Sequence, residues 1–522
     1  MKKFFVLLIL ACLLLTGCKE NKTDAEQETT KPDPNKIVTA VQVGSYDVTN
    51  VELNYFYIDA INTFYSNYRD YLSYLLDSKA SLNEQIADST TGETWADYFV
   101  KQAYNNIKST YAVYDAAMAA GFQLSEEQQA DIDTAMQYLV LYGMLYNFKD
   151  TDAYLCDMYG AGATVESYTE YYTKCVIAEA YYNKYSEDLE YTIDELTAYQ
   201  SSVPYRFNSY SYAIYYLNAE RFYAEDAGTM DANGKVTYTQ EEAAAAVEAA
   251  RVAAEQLAGE SYETVHAFDI AINQLDVNRP AGSNSVGNEE IRYRSTKYED
   301  IQYSHVNTLF WDFLIGNDRN EGDLAVIANI SGTGDNKTIK GFYVVRYESC
   351  TNNDFAMKNV RHILVKFVKL GSNGKPINSS NTNYTDAEKK YAKDEAEKLL
   401  AQWMSGDMTE ESFVALANKE SDDGDGTTGG LYENIYPGQM VENFEDWCFD
   451  PDRRIGDVEI IETEYGYHLM YFVGDTEQTY RNYLIQEAMR GEDTKAWYEA
   501  LVETLSFTVL TDAYINKEIT IA

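Results

Sequence analysis

The sequence predicts a multidomain α+β protein, in which a mostly helical domain precedes two copies of a smaller α+β domain. Three observations lead to this prediction. The chain has 522 residues, enough for about three or four domains. Amphipathic segments at helical spacing fill residues 38–203. One order of strand, turn and helix signals then occurs twice between residues 204 and 475.

The N-terminus carries an export signal and an attachment site. Two lysines precede an apolar run from Phe4 to Leu15, which is too short for a comfortable membrane span and is typical of a secretory signal. The sequence Leu15-Thr16-Gly17-Cys18 is similar to a bacterial lipobox, which implies cleavage before Cys18 and diacylation of its sulfur. The alternative is an ordinary signal peptide with a chance cysteine. Residues 1–17 are thus predicted to be a signal peptide and 18–37, polar and proline-containing, a flexible tether.

The charge balance limits the partners of this protein. There are 84 acidic and 41 basic residues, a formal net charge of −43, which argues against a nucleic-acid partner. A solubilising surface explains the charge most simply, and an acidic trap for basic partners is the alternative. The 48 tyrosines are predicted to be largely half-buried, with the ring packed and the hydroxyl in water.

Cysteine gives little information. The cysteines beyond the signal and the lipobox have spacings that match no zinc pattern, so no metal is predicted: Cys156, Cys175, Cys350 and Cys448. A disulfide between Cys156 and Cys175 and a pair of buried thiols fit the sequence equally well.

Residues 38–203 are predicted to form the helical domain. A strand-like segment, 38–48, turns at Gly44-Ser45, and Thr49 with Glu52 has the capping-box pattern that begins a helix. Apolar residues then recur at helical spacing through a series of amphipathic segments, at 51–75, 94–120, 126–148, 165–187 and 192–201.

Residues 204–350 and 355–475 are predicted to be two copies of one domain, because several features recur in the same order. Each copy begins with a strand that is followed by an Asn-Gly-Lys turn. A Thr-x-x-Glu capping box then begins a helix, at Thr239 in one copy and Thr385 in the other. An Asp-Arg-x-x-Gly-Asp pattern and a glycine-led strand close the copies, at 318–323 and 341–345 and at 452–457 and 466–470.

The second copy contains a series of short motifs in one order: Arg361-His362-Ile363-Leu364-Val365, Ser421-Asp422-Asp423, Gly429-Gly430-Leu431, Gly438-Gln439-Met440, Ile455-Gly456-Asp457 and Thr463-Glu464-Tyr465-Gly466-Tyr467-His468. Each is weak alone, but together they resemble a parvulin domain, a peptidyl-prolyl cis/trans isomerase in which helices flank an antiparallel sheet. The resemblance implies an enzyme that needs no cofactor, because rotation about an X–Pro bond makes and breaks no covalent bond.

The same resemblance assigns the catalytic residues. His362 and His468 match the two histidines that form a hydrogen-bonded pair at the floor of the proline slot. Asp423 matches a position close to the reacting carbonyl, although turn chemistry in a Gly/Asp-rich loop explains an acidic residue there equally well.

Substrate-binding residues follow from the resemblance too: Leu431, Met440, Phe444 and Thr463. Met440 and Phe444, four residues apart, also fit a plain helix core. The sequence departs from the family where Tyr432-Glu433 follows Leu431. No arginine pair follows the first strand, so specificity for phosphoserine-proline is not expected.

In the first copy, Tyr212 and Tyr343 are assigned to the two histidine positions, and the loop at 276–290 lacks the Ser-Asp-Asp sequence. This copy is therefore predicted to be a degenerate parvulin-like domain without an isomerase site.

Two further motifs concern the helical domain: Val43-Gly44 with Val48-Thr49 and Glu52-Leu53, then Ala120-Gly121-Phe122-Gln123-Leu124-Ser125-Glu126-Glu127-Gln128. They resemble the N-terminal chaperone domain of PrsA/SurA foldases. In that family the C-terminal segment, here 476–522 with a helix and a strand, returns to complete the chaperone domain.

The resemblance implies a foldase on the outer face of the bacterial cell membrane, attached by its lipid anchor. Its partners would be unfolded or newly exported polypeptides with X–Pro bonds. The oligomeric state stays open, with a dimer as one candidate. A non-catalytic holdase, whose parvulin-like domains only bind chains, is the alternative function. A solute-binding lipoprotein is disfavoured, because its α/β pattern is missing.

Overall fold

The structure is a computed structural model that describes residues 33, 35–231, 234–278, 292–315, 319–424 and 426–520. The predicted signal peptide, Cys18 and most of the tether lie outside the described residues. The chain divides into two compact units, residues 1–190 with 488–522 and residues 191–487. Within the described part, no helix is both long and apolar enough to cross a membrane.

The first unit is mainly helical. Its elements before residue 190 are β1 (Thr39–Val43), β2 (Tyr46–Thr49), α1 (Asn50–Tyr68), α2 (Leu72–Leu75), β3 (Ile86–Asp88), β4 (Glu93–Thr94), α3 (Trp95–Ala119), α4 (Glu126–Leu145), α5 (Thr151–Tyr159) and α6 (Val165–Glu187). The capping box of Ser125 and Gln128 at the start of α4 is confirmed. Helix α5 was not predicted. It is nine residues long and is capped by the preceding residue, Asp150, whose carboxylate accepts a hydrogen bond from the Ala153 amide.

Tyrosines form much of the core between α1, α3 and α6. The ring of Tyr55 lies edge-on to those of Tyr159 and Tyr168, with centroids 5.0 and 5.1 Å apart. Its hydroxyl is 2.7 Å from Ser167 Oγ. Tyr55 is fully buried, deeper than the half-buried position predicted for tyrosines, because both its ring and its hydroxyl find partners inside the unit.

Glu52 does not close the predicted capping box. Thr49 caps α1 by accepting a hydrogen bond from the Glu52 amide. The Glu52 carboxylate instead accepts from the Tyr111 hydroxyl at 2.6 Å and from Lys174 Nζ at 3.0 Å. A buried carboxylate needs such partners, so the tertiary ion pair prevails over the local motif.

The cysteines of the described residues are free thiols, so no disulfide joins Cys156 and Cys175. The Cys156 thiol donates a hydrogen bond to the Ala163 carbonyl at 3.1 Å.

The second unit begins earlier than predicted. Helix α7 (Ile193–Ser202), assigned from the sequence to the helical domain that ends at residue 203, belongs to the unit that starts at Tyr191.

A four-stranded antiparallel sheet follows α7, with the strand order β8-β5-β10-β9. Its elements are β5 (Ser209–Asn218), β6 (Thr229–Met230), β7 (Val236–Thr237), α8 (Gln240–Ala258), α9 (Val265–Gln274), β8 (Thr296–Gln302), α10 (Trp311–Leu314), β9 (Leu324–Ser331) and β10 (Thr338–Thr351). Asn233 and Asp318 of the predicted repeat, and most of the loop at 276–290, lie outside the described residues.

A second four-stranded antiparallel sheet has the order β14-β11-β16-β15. Its elements are β11 (Ala356–Lys366), β12 (Lys369–Leu370), β13 (Pro376–Ile377), α11 (Asp386–Met404), α12 (Glu410–Glu420), β14 (Leu431–Ile435), α13 (Glu442–Phe449), β15 (Val458–Glu462) and β16 (Gly466–Thr479). The two sheets have the same sequence of strands and the same placement of helices between them, so each has its first and last long strands at the centre.

The chain ends with α14 (Tyr480–Thr504) and β17 (Phe507–Val509). Strand β17 pairs antiparallel with β1, with Val509 opposite Val41. Residues 488–522 therefore belong to the first unit.

Candidate active site

The two central strands of the second sheet place two histidines on one face. His468 of β16 lies opposite Leu364 of β11, and Leu364 is two residues after His362 on the same strand. Side chains alternate along a strand, so His362 and His468 share a face and meet diagonally. The neighbouring residues Ile363 and Leu469 point the other way and pack with α11 and α12. A slip of one residue in this register would move a histidine to the face of α11 and α12 and an apolar residue to the site.

Hydrogen bonds join the histidines into a buried chain. His362 Nδ1 and His468 Nδ1 are 3.1 Å apart, and His468 Nε2 is 2.9 Å from Thr463 Oγ1. At the other end, His362 Nε2 is 3.3 Å from the Asp423 carboxylate. His362 and His468 are 2% and 6% exposed, so water does not compete for the contact between the two rings, whereas the Asp423 side chain is partly exposed.

The chain of contacts couples the tautomers of the two rings. A carboxylate only accepts, so His362 Nε2 carries a hydrogen that it donates to Asp423. When His362 is neutral, its Nδ1 accepts from the Nδ1–H of His468, and His468 Nε2 is left as an acceptor for the Thr463 hydroxyl. In this arrangement all four ring nitrogens have a partner.

The electrostatics agree with this assignment. Burial and the neighbouring His362 lower the pKa of His468 from 6.5 to about 4, so its ring is neutral at pH 7. The hydrogen bond from His362, assisted by one from Tyr432, holds the pKa of Asp423 well below its usual range. The site therefore holds an ionised carboxylate, on Asp423, and a neutral ring, that of His468.

Hydrogen bonds to β11 hold the loop that places Asp423 beside His362. The Leu364 amide donates to Ser421 Oγ at 3.1 Å, and the Asp422 amide donates to the Leu364 carbonyl at 2.8 Å. The Asp422 carboxylate accepts from the Lys366 amide at 2.9 Å. Asp422 therefore has a turn role, because it holds the loop to β11, whereas Asp423 contacts the histidine.

Gly430 allows the next loop to approach the same strand. The His362 amide donates to the Gly430 carbonyl at 2.9 Å. Gly430 has φ +66°, and a Cβ there would lie 2.0 Å from the His362 carbonyl oxygen. Only glycine fits this close contact, which brings Tyr432 over the histidine.

Aromatic rings enclose the pair. Phe444 is 3% exposed and lies edge-on to His362 and His468, with ring centroids 5.5 and 5.4 Å apart. Tyr432 lies edge-on to His362 at 4.6 Å and donates to the Asp423 carboxylate at 2.7 Å. The role of Tyr432 was not predicted, because it stands where the sequence departs from the family pattern and only the β14–β11 pairing brings it here.

Two predicted substrate-binding residues remain. Met440 is half-buried in the apolar cluster that contains Phe444. Leu431 is half-buried on β14, opposite Arg361 of β11, so it lies on the face of the sheet away from the histidines. Their assignment to substrate binding stays a prediction.

The first sheet corrects one predicted equivalence. Gly341 lies opposite Asn218, as Gly466 lies opposite Lys366. Asn218 and Lys366 are therefore equivalent positions. The residues four positions before them are Ile214 and His362, so Ile214 is the equivalent of His362 and the assignment of Tyr212 is wrong. The glycines fix the register of each ladder, which the apolar pattern of the two strands alone does not.

The second histidine position of the first sheet is Tyr343, as predicted from the sequence. Phe310 lies edge-on to Tyr343 at 5.3 Å, the arrangement that Phe444 has with His468. This face therefore has the same packing without the histidine pair.

Among the described residues, no group of three or more His, Cys, Asp or Glu side chains is arranged to hold a metal ion.

Comparison with known proteins identifies the second copy. Residues 342–475 match the model of the PPIC-type PPIase domain. The match begins inside β10, whereas the second sheet begins at Ala356. No curated protein matches the chain.

Several solved structures are similar over part of the chain. The PPIase domain of TbPar42 is 25% identical over 22% of this chain and 99% of its own, with a TM-score of 0.18. PrsA from Bacillus anthracis is 19% identical over 29% of this chain and 59% of its own, with a TM-score of 0.17. PrsA from Bacillus subtilis is 18% identical over 31% and 55%, with a TM-score of 0.19. The chain thus spans little more than half of these two PrsA chains, and at these TM-scores the likeness carries no further argument.

The family match, together with the paired histidines on adjacent central strands, confirms the parvulin resemblance: residues 342–475 form a PPIC-type, that is parvulin-type, PPIase domain.

Proposed function

We propose that this protein is a lipid-anchored foldase outside the cytoplasm, which catalyses cis/trans isomerisation of X–Pro bonds in exported chains and also acts as a chaperone. The observation that carries the proposal is the buried, hydrogen-bonded His362–His468 pair, held by Thr463 and Asp423 beneath Phe444. The anchor at Cys18 and the exported location rest on the N-terminal sequence.

The reaction needs a site that weakens amide resonance. The planar X–Pro amide is stabilised by charge separation between its nitrogen and oxygen, and rotation faces a barrier of about 18–20 kcal/mol. An ionised carboxylate beside the carbonyl oxygen disfavours that separation and so favours the twisted amide. Asp423 is the ionised group in this site.

The histidines hold the site in shape. Because all four ring nitrogens are engaged, neither ring is free to act as a base. The pair instead forms a rigid floor from which water is excluded, and it fixes Asp423 through His362 Nε2. Phe444, packed against both rings, supplies an apolar wall for a proline ring.

The test measures isomerisation of a proline-containing tetrapeptide by the full-length protein in a protease-coupled assay. His362→Ala removes the link between the pair and Asp423, so kcat/KM should fall at least tenfold, equivalent to about 1.4 kcal/mol. His266→Ala, a change at an exposed histidine of α9, is the control and should retain full activity.

Two results would contradict the proposal. Full activity of a folded His362→Ala protein would show that the pair is not the isomerase site. An inactive wild type that still suppressed aggregation of a denatured protein would favour the non-catalytic holdase.

A further inference from the structure

Helix α4 exposes apolar side chains that no other part of the described structure covers. Its inner face is buried in the ordinary way through Ile132, Ala135, Leu139 and Gly143. Its outer face, over the last two turns, carries large apolar residues that are 48–70% exposed: Tyr138, Leu141, Met144 and Leu145. These four residues are called the α4 ridge. A contiguous exposed apolar surface of this kind is typical of an interaction site.

The stretch of chain that contains the ridge is strongly acidic. Between residues 109 and 173 there are ten acidic residues and a single basic one, Lys149. Lys149 lies 3.6 Å from Asp150, which offsets its charge. A second copy of this chain is therefore an unfavourable partner, because two such surfaces would repel each other.

The acidic and apolar groups follow one line along the helix. Glu127, Asp131 and Thr134 are exposed at helical spacing and continue through Tyr138 and the rest of the ridge. With a rise of about 1.5 Å per residue, the carboxylate of Asp131 lies roughly 15 Å from the middle of the ridge. A partner that matches this line has basic and apolar groups separated by about four or five extended residues.

We propose that the α4 ridge docks segments of unfolded client chains in which basic residues lie about four or five residues from the centre of an apolar stretch. Apolar side chains of the client cover the ridge, and its basic side chains face Glu127 and Asp131. The inference deepens the proposed chaperone role, on which it rests, and it is independent of the isomerase site.

A second exposed apolar surface in the same unit provides a matched control. Tyr71 and Tyr74 are 64% and 85% exposed. The charges beside them balance, with Arg69 and Lys79 against Asp70 and Asp77. This surface offers similar apolar area without the acidic line, so it should not select basic segments.

The experiment measures binding to the full-length protein by fluorescence anisotropy. The probe is a short fluorescein-labelled peptide without proline, in which two lysines precede a Leu/Phe stretch, so the isomerase slot is not engaged. A second peptide has serines in place of the lysines. The double variant L141Q/L145Q should weaken binding of both peptides about tenfold or more, because burying one leucine is already worth that factor. Glutamine keeps the helix propensity, and circular dichroism checks the fold.

The charge arm uses the double variant E127Q/D131N. It should weaken the lysine peptide about threefold at low salt, leave the serine peptide unchanged, and lose most of this effect near 0.3 M NaCl. The control Y71Q/Y74Q should bind both peptides within about twofold of wild type.

The proposal is overturned if the wild type does not bind the lysine peptide, or if L141Q/L145Q binds it as wild type does. Equal weakening by Y71Q/Y74Q would show unspecific apolar adsorption. An unchanged lysine-peptide affinity in E127Q/D131N would exclude basic segments as the occupant. Capture of phosphatidylcholine vesicles that depended on Leu141 and Leu145 would assign the ridge to lipid instead. Isomerase activity, measured on the same samples, reports separately on the proposed enzyme.

Discussion

Lowering the pH from 7 to 5 should loosen the strand that carries His468. Burial and the neighbouring His362 lower the pKa of His468 from 6.5 to about 4 in the folded protein. The unfolded chain takes up this proton near pH 6.5. Between pH 6.5 and 4 the unfolded state binds more protons than the folded state. The stabilisation is therefore complete above about pH 6.5 and is lost as the pH falls towards 4.

The size of the effect follows from the shift. One pKa unit is worth about 1.36 kcal/mol. The loss between pH 7 and 5 is therefore about 2 kcal/mol, and by pH 4 it reaches about 3 kcal/mol. For the opening of β16, about 2 kcal/mol corresponds to a roughly thirtyfold fall in amide protection.

The assay is hydrogen–deuterium exchange of β16, Gly466–Thr479, at pH 7 and pH 5 after correction for intrinsic exchange rates. Wild type is compared with His468→Asn, which keeps a donor towards His362 but has no proton to gain. Titrating groups that do not contact residue 468 are common to both proteins and cancel in the comparison. A local measurement suits this chain, because two compact units do not guarantee a two-state transition. His266→Asn is the control and should follow wild type.

The reasoning is refuted if wild type and His468→Asn lose the same protection between pH 7 and 5. The imidazole would then gain its proton equally easily in the folded and unfolded chains. The neutral state assigned to His468 at pH 7 would have to be abandoned.

Three further outcomes test other parts of the structure. Thr463→Val removes the donor to His468 Nε2 and should lower kcat/KM about five- to thirtyfold by leaving a buried acceptor unpaired; full activity would show that this hydrogen bond does not orient the ring. Tyr432→Phe removes one donor from the Asp423 carboxylate and should lower kcat/KM a few-fold. The pKa of Asp423 then rises, so the acidic limb of the pH–rate profile should shift to higher pH. An acidic limb at the same pH as in wild type would contradict the assigned contact. Residues 204–350 expressed alone should not accelerate prolyl isomerisation, because Ile214 and Tyr343 stand where the histidine pair would be; any rate above background, in a sample folded by circular dichroism, would contradict that equivalence.

The sequence was most informative where a function depends on contiguous motifs. His362 and His468 each occur within a short run whose neighbours also match the family, so their pairing was predicted without coordinates. Asp423 was found in the same way. The structure adds what the motif does not contain, namely that Asp422 holds the loop to β11 while Asp423 turns towards the histidine.

The failures have physical reasons. Tyr432 depends on strand pairing and on the close approach at Gly430, neither of which a local pattern encodes. Tyr212 was assigned to the position of His362 because the ends of a strand are poorly defined in a sequence. The register of the ladder depends instead on its partner strand, whose leading glycine lies far along the chain. Glu52 had a good capping pattern, but its carboxylate is buried and pairs with a half-buried lysine from another helix, Lys174, instead of closing the capping box.

The pairing of β17 with β1 has a consequence for the order in which this chain folds. The first unit needs Val509 beside Val41, so its small sheet cannot be completed until almost the whole chain has been made. Residues 191–487 form one continuous stretch and need nothing from either flank to close their two sheets. Loop closure over so many residues is entropically costly unless the intervening segment has already become compact. The PPIase part is therefore expected to fold first during synthesis. The first unit can complete its core only after β17 has been made.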